Sequence, residues 1–109
     1  MDTDKALAML AALSHPTRLG AFRLLVEHEP DGLATGRLVE ASGLSQSTFS
    51  THLAVLAKAG LVTADRQGRR QIQRASVSGV RDLMLFLAKD CCKGRPDLCE
   101  PLLAELACC

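Results

Sequence analysis

The pattern that most constrains this chain is a glycine turn between two helical segments, the second of which has one polar face. A short helix is predicted over residues 36–42 and ends at Gly43, after which Ser45 is placed to cap a helix over 46–59. Gly60 is placed to end that helix. Apolar residues at helical spacing mark its buried face: Phe49, Leu53, Leu56 and Ala57. The polar face is therefore free to contact a partner.

The flanking sequence supplies more helices and one hairpin. Helices are predicted over 4–13, where Leu7, Leu10 and Leu13 recur, and from Thr17, where one face carries Leu19, Phe22, Leu25 and Val26. Downstream, residues 61–75 change to a strand period around Arg66-Gln67-Gly68-Arg69, which predicts a β-hairpin with a glycine turn. A last helix is predicted over 76–90. This order predicts a mainly α fold with a small β-hairpin wing, a winged helix-turn-helix.

The last helix is apolar around most of its circumference, which requires burial on more than one side. A chain of 109 residues is one domain and cannot cover such a helix alone. We therefore predict a homodimer that forms through the terminal helices. The predicted interface residues are Leu7, Leu10, Val80, Leu83, Met84 and Leu87.

The net charge is only +1, but its distribution is uneven. Between Lys58 and Arg81 the chain carries Lys58, Arg66, Arg69, Arg70, Arg74 and Arg81 against Asp65 alone, a local charge of +5. The balanced total excludes a histone-like polycation, and the 48% hydrophobic content excludes a disordered chain. One basic block beside a polar helix face is the electrostatic pattern of a nucleic-acid-binding surface.

A helix that lies in the major groove needs short polar side chains near its N-terminus to reach base edges. The polar face supplies them as Gln46, Ser47, Ser50 and Thr51, and Gln46 can pair with adenine through two hydrogen bonds. At the hairpin tip, Arg69 and Arg70 are predicted to contact phosphates or the minor groove. Double-stranded DNA is therefore the predicted partner.

About residues 5–80 resemble the ArsR/SmtB family of winged-helix metalloregulatory repressors, through the stretches ALSHPTRLGAFRLL, GRLVEASGLSQSTFSTHLAVLAKAGLV and ADRQGRRQIQRAS. The resemblance implies a homodimer that binds a palindromic operator and is released by a metal or metalloid. It places the family's DNA-reading positions at Ser45, Gln46, Ser47, Thr48 and Ser50. The chain departs from the family at Thr51, often a basic or larger polar residue, and at Gln71-Ile72-Gln73, where the wing often has aromatics.

Two of the family's ligand sites lack their ligands in this chain. A Cys-x-Cys pair ahead of the recognition helix would fall on Ala34 and Gly36, and the zinc site across the last helix would need histidines, of which that helix has none. Elsewhere, His52 is predicted to be a hydrogen-bonded packing residue, His15 a structural residue at a helix junction, and His28 a surface residue.

All five cysteines fall in the last 19 residues. Cys91 and Cys92 are adjacent, and their Cα separation of ~3.8 Å is too short for an unstrained disulfide. Gly94 and Pro96 favour a helix end there, so a turn can bring Cys99 back toward the pair. Three thiolates suit a soft ion, whereas zinc usually takes four ligands. Trivalent arsenic or antimony is satisfied by three sulfurs.

The cysteine pattern resembles the ArsR subgroup with a C-terminal cysteine cluster, which implies Cys91, Cys92 and Cys99 as As(III) ligands. Cys108 and Cys109 remain additional candidate thiols. We therefore predict a DNA-binding domain over residues 1–90 and a metalloid-sensing segment over 91–109. As(III) or Sb(III) is the expected inducer, and no cofactor is expected to be required for DNA binding.

Three alternatives remain beside this prediction. A repressor of the same fold could respond to thiol oxidation or to Cd or Zn. An enzyme such as an arsenate reductase would need an anion-binding loop beside a nucleophilic cysteine, and no such loop surrounds Cys91, so we predict a protein that is not an enzyme. A protein-interaction module with a degenerate helix-turn-helix would bind no DNA. The longest apolar run is Leu83 to Ala88, so a cytoplasmic protein with no membrane partner is expected.

Overall fold

The computed structural model describes residues 1–88, so the predictions that concern 89–109, including the whole metalloid-sensing segment, lie outside the described residues. The elements run in the order α1 (Thr3–Leu13), α2 (Pro16–Glu27), β1 (Leu33–Ala34), α3 (Thr35–Ser42), α4 (Gln46–Lys58), β2 (Val62–Gln67), β3 (Arg70–Ala75) and α5 (Val77–Ala88). The winged helix-turn-helix is therefore confirmed. None of these helices combines the length and the hydropathy needed to cross a membrane.

The sheet has one strand more than the sequence analysis predicted. Strands β2 and β3 form the expected antiparallel hairpin, which ends where Gln67 pairs with Arg70. The additional strand, β1, pairs antiparallel with β3, so the sheet order is β1-β3-β2. A strand of two residues is too short to leave a period-2 pattern in the sequence, which explains why the prediction missed it.

Side chains from α1, α2, α3 and α4 meet in one core under the sheet. The largest fully buried side chains are Phe49, Met9, Leu25, Leu38, Leu56 and Leu61. In α1 the buried residues are Ala6, Met9 and Ala12, whereas the recurring Leu7 and Leu10 are 57% and 40% exposed. The core therefore uses a different face of α1 from the leucine stripe.

Three apolar residues that were predicted on buried faces are exposed. Leu19 and Val26 of α2 are 43% and 47% exposed, because the core packs against the face formed by Ala21, Phe22 and Leu25. On a helix with about 100° per residue, Leu19 and Val26 lie roughly 100° from the centre of that face. In α4, Ala57 is also exposed, at the edge of the stripe that buries Phe49 and Leu56.

The start of α5 lies against the end of α4. The Ser76 N–H donates to the Leu61 carbonyl oxygen at 2.8 Å, and Gly79 comes so close to Gly60 that a Cβ there would lie 2.5 Å from the Gly60 carbonyl oxygen. Farther along α5, Leu83 is only 4% exposed and belongs to the core. The start of the last described helix is thus fixed to the turn that directly follows α4.

Candidate nucleic-acid interface

The turn between α3 and α4 has the geometry that the sequence predicts. Gly43 ends α3 in the left-handed conformation, with φ of +72°, which favours glycine. The Ser42 hydroxyl then accepts a hydrogen bond from the Leu44 N–H at 3.1 Å. The Ser45 hydroxyl accepts from the Thr48 N–H at 3.3 Å and so caps α4. The two helices are therefore held by local hydrogen bonds at the start of the polar face.

The structure brings all the predicted helix positions together on the exposed side of α4. Ser45, Gln46, Ser47, Thr48, Ser50 and Thr51 are all exposed. Some of their hydroxyls are already engaged, because Ser45 donates to the Thr48 hydroxyl at 2.9 Å and Thr51 donates to the Ser47 carbonyl oxygen at 3.2 Å. In the described part of the chain, Gln46 and Ser50 make no side-chain hydrogen bond, so these two are the best placed to bond a ligand.

The polar face continues into residues that the sequence analysis did not assign to the interface. A shallow depression beside Ser50 and Thr51 is also lined by Ala54, Val55 and Lys58. Val55 is an apolar residue of α4, yet it is 37% exposed. The spacing of Ala54, Val55 and Lys58 from Thr51, at three, four and seven residues, could have indicated a shared face.

The wing presents arginines at its tip. The turn consists of Gly68, with φ of +65°, and Arg69, and it joins the paired residues Gln67 and Arg70. Arg69 and Arg70 are exposed, as predicted for phosphate-binding side chains. Arg66 is a third arginine at this tip, and its Nε donates to the Gly68 carbonyl oxygen at 3.4 Å.

Arg74, although it belongs to the basic block, makes its contacts within the protein. Arg74 Nη1 lies 3.2 Å from Asp65 Oδ2, and Arg74 Nε donates to the Pro30 carbonyl oxygen at 3.1 Å. Arg74 and Asp65 therefore neutralise each other within the sheet. The ion pair leaves the local charge of +5 unchanged, because Asp65 is already subtracted in that count, and the uncompensated arginines of the wing are Arg66, Arg69 and Arg70.

The base of the wing is tied to the start of α3 by a buried side chain. Gln73 is 3% exposed, and its Nε2 donates to the Thr35 hydroxyl at 3.1 Å, while that hydroxyl donates to the Gln71 carbonyl oxygen at 3.2 Å. Gly32 lies against the same strand, with φ of +73°, and a Cβ there would overlap the Gln73 carbonyl oxygen. These contacts orient the wing relative to the α3–α4 unit.

Two of the three histidines join helices. His15 precedes α2, and its Nδ1 accepts from the Thr17 N–H at 3.1 Å. His52 of α4 is half-buried, as predicted, and its Nδ1 lies 3.2 Å from Arg18 Nη1. The two imidazole centroids are 4.3 Å apart and tilted by 35°. The third, His28, is exposed and bonds the Leu24 carbonyl oxygen through Nδ1 at 2.9 Å.

The described residues contain no group of three or more metal-ligating side chains. Ala34 and Gly36, where the resemblance would place a cysteine pair, lie at the end of β1 and in the first turn of α3. The candidate ligands Cys91, Cys92 and Cys99, and the additional thiols Cys108 and Cys109, lie outside the described residues.

The residues that were predicted to form the dimer interface divide into an exposed group and a buried group. Leu7, Leu10, Met84 and Leu87 are between 40% and 57% exposed. Leu83, in contrast, is buried in the core of its own chain, and Val80 is half-buried against that core, so a partner cannot contact Leu83 directly. The prediction assigned Leu83 to the dimer interface, whereas the structure buries this side chain in the core of its own chain.

Comparisons with known proteins agree with this geometry. A family model of a helix-turn-helix domain matches residues 13–64. The HTH-type transcriptional regulator YgaV of Escherichia coli is 32% identical over 82% of this chain and 88% of its own length. The homodimeric winged helix-turn-helix DNA-binding domain of Mb0332 from Mycobacterium bovis, a possible ArsR-family transcriptional regulator, has a TM-score of 0.65 and 30% identity, over 78% of this chain and 77% of that one.

A further solved structure is that of a possible transcriptional regulator for arsenical resistance. It has a TM-score of 0.63 and 32% identity, and the match covers 72% of this chain and 79% of that one. The match to the family model, over residues 13–64, includes α2, α3 and α4, and therefore the helix that carries the polar face.

Proposed function

The chain belongs to the ArsR family of winged helix-turn-helix transcriptional regulators, and we propose that it is a repressor that trivalent arsenic or antimony releases from its operator. Members of this family bind DNA and are not enzymes, so the prediction of a non-enzymatic DNA-binding regulator is confirmed. Repression, the inducer and its ligands are the parts that we propose.

The observation that carries the proposal is the capped helix α4, whose polar side faces solvent, in a fold that also presents an arginine-tipped wing. Gln46 and Ser50 are placed to read base edges in the major groove, and the wing arginines are placed to bind phosphates. In a twofold-symmetric dimer, two such helices would read half-sites about one helical turn apart, so the operator is a palindrome.

Dimer formation is supported by apolar surface at both ends of the described chain. Four large apolar side chains are exposed to solvent: Leu7 and Leu10 on α1, and Met84 and Leu87 on α5. A second copy of the chain would cover them. The similar domain from Mycobacterium bovis is homodimeric. We therefore keep these four residues as the proposed interface and remove from it the buried Leu83 and the half-buried Val80, which pack in or against the core.

The proposed inducer site consists of Cys91, Cys92 and Cys99. It is supported by the absence of ligands at the family's other positions, since Ala34 and Gly36 cannot bind a metal and the described part of α5 holds no histidine. It is also supported by the similarity to a possible regulator for arsenical resistance. Basic residues nearby, Lys89, Lys93 and Arg95, favour the thiolate form that binds soft ions.

The contacts of α5 suggest how such binding could reach the DNA. The proposed ligands follow α5 in the chain, and α5 begins against Gly60, directly after α4. A ligand that fixes the segment after α5 would change how the two subunits place their α4 helices. Allosteric couplings ordinarily amount to about 1–3 kcal/mol, which corresponds to roughly 5–150-fold in operator affinity.

A repressor that responds to thiol oxidation or to Cd or Zn is the second candidate, because the same cysteines would serve it. An electrophoretic mobility shift distinguishes the candidates. The protein, bound to a duplex selected from a random-sequence library, is titrated in parallel with As(III), Sb(III), methylarsenite, Cd(II), Zn(II) and a thiol oxidant. Release at the lowest concentration by As(III) or Sb(III) supports the proposal, whereas release by the oxidant or by Cd or Zn alone favours the second candidate.

A further inference from the structure

The end of α1, the start of α2 and the middle of α4 meet at a junction formed by His15, Arg18 and His52. The Arg18 guanidinium is shared between two helices, because its Nε donates to the Ala12 carbonyl oxygen at 2.6 Å while its Nη1 lies 3.2 Å from His52 Nδ1. Its Nη2 also donates to the Ala11 carbonyl oxygen at 3.4 Å. One side chain thus connects the C-terminus of α1 to α4.

The direction of these hydrogen bonds shows which ring nitrogen of each histidine accepts. A guanidinium can only donate, so His52 Nδ1 must be the acceptor and its proton must lie on Nε2. Likewise, the Thr17 N–H donates to His15 Nδ1, which must therefore carry no proton. A doubly protonated imidazole has no acceptor nitrogen, so protonation would remove either bond.

Protonation would also place like charges together. The imidazoles of His15 and His52 are 4.3 Å apart, and Arg18 is bonded to the second one. The basic groups beside His52 are thus His15, the N-cap of α2, and Arg18 of α2, while the Ala11 and Ala12 carbonyl oxygens of α1 bond Arg18. Accordingly, burial lowers the pKa of His52 first, and the proximity of His15 and Arg18 lowers it further.

We propose that His15, Arg18 and His52 are positioning residues that hold α4 in its DNA-binding orientation only while the His52 imidazole is neutral. His52 lies on the half-buried side of α4, whereas the neighbouring Ser50 and Thr51 lie on the exposed side. A break at His52 therefore displaces the helix on which the DNA-contacting side chains stand. Operator affinity should fall as the pH drops below the ordinary histidine range.

The direction in which DNA affinity changes at low pH distinguishes a histidine that positions α4 from one that acts through its charge. A histidine that acts only through its charge gains a proton at low pH and strengthens attraction to phosphates, so DNA affinity would rise. A histidine that positions α4 weakens sequence-specific binding under the same conditions. The proposal rests on α4 as the DNA-reading helix, but not on the arsenite response.

The probe is a fluorescent duplex that the wild-type protein selects from a random-sequence library at about pH 7.5. The affinity for this duplex is then measured between about pH 7.5 and 5.5 at constant ionic strength. Wild-type affinity should fall roughly tenfold. Once its bonds are broken, His52 has the ordinary histidine pKa, and below that pKa an obligatory protonation changes an equilibrium about tenfold per pH unit. In the double variant His15→Asn/His52→Gln, both side chains still offer an acceptor oxygen and cannot titrate, so its affinity should fall by less than about threefold.

His28→Gln is the matched control, because His28 is exposed and lies outside the junction, so this variant should follow the wild-type profile. Circular dichroism at both pH values shows whether the variants are folded, and if the double variant is not, His52→Gln alone must show the smaller loss. A wild-type profile that is flat or rises at low pH overturns the inference, as does a double variant that loses as much affinity as the wild type. Failure to select any duplex at pH 7.5 would instead overturn the assignment of α4, and the inference with it.

Discussion

Arg74 Nη1 lies 3.2 Å from Asp65 Oδ2 across the β2–β3 pair, so an arginine and the one acidic residue of the basic block neutralise each other. The same guanidinium donates to Pro30 and so fastens the sheet to the loop after α2. The charge that the wing offers to DNA therefore comes from Arg66, Arg69 and Arg70 at its tip.

Replacement of an exposed arginine at the wing tip and replacement of the ion-paired Arg74 should affect DNA binding differently. Replacement of Arg69 or Arg70 by alanine should weaken binding to all sequences and reduce the slope of log K against log salt by about one per lost phosphate contact. Arg74→Ala is the matched control and should leave the slope unchanged while it lowers the free energy of unfolding by about 0.2–1 kcal/mol. Salt titrations of DNA binding and urea unfolding measure both effects, and an equal loss of slope in Arg74→Ala would contradict the division.

The cap of α4 predicts a separation between stability and DNA binding. Ser45→Ala should lower the free energy of unfolding by about 1 kcal/mol, because the Thr48 N–H loses its acceptor. Ser45→Asp keeps an acceptor and so should keep the stability, yet its negative charge beside the DNA backbone should reduce affinity. Urea unfolding and fluorescence anisotropy check the pair. If Ser45→Asp bound DNA as well as the wild type, Ser45 would not face the DNA.

The exposed leucines predict the oligomeric state. Leu10→Glu should convert a dimer to a monomer at micromolar concentration, since it places a charge in the proposed apolar interface. Leu19→Glu is the matched control, because Leu19 is 43% exposed against 40% for Leu10 but lies on α2, outside that surface. Analytical ultracentrifugation decides, and a dimer that survives Leu10→Glu but not Leu19→Glu would move the interface to α2.

Burial of a neutral His52 predicts a pH-dependent stability that is independent of DNA. Its pKa is lower in the folded chain than its ordinary value near 6.5, so the unfolded chain binds more protons as the pH falls through that value. The stabilisation is therefore present above about pH 6.5 and is lost below it. Urea unfolding at about pH 7.5 and 5.5 should show a smaller loss of free energy in His52→Gln than in the wild type. An identical loss in both would assign the pH dependence to other groups.

The sequence was sufficient for every element longer than two residues, because each has a strong period or a clear cap. Ser45, Gly43 and Gly60 mark helix ends by side-chain and backbone chemistry that acts within a few residues. The exposure of Leu19 and the burial of Leu83 were not predictable, since both lie in apolar helices whose orientation depends on tertiary packing. Strand β1 likewise exists only because β3 is beside it.

The candidate site shows the same contrast. The exposed face of α4 followed from helical spacing, whereas the loss of Arg74 to an ion pair depends on the register of two strands. The junction of His15, Arg18 and His52 joins residues that are up to 37 positions apart, so only the folded chain reveals it. The sequence could indicate that His52 was packed, but not what it packs against.

Arsenite titration of preformed protein–DNA complexes tests the proposal that As(III) releases the protein from DNA through Cys91, Cys92 and Cys99. Fluorescence anisotropy would compare the wild type, the triple variant Cys91→Ser/Cys92→Ser/Cys99→Ser and the control Cys108→Ser/Cys109→Ser. We expect the wild type and the control to lose operator affinity by about 5–150-fold, while the triple variant stays bound. Release of the triple variant at the same arsenite concentration would contradict it.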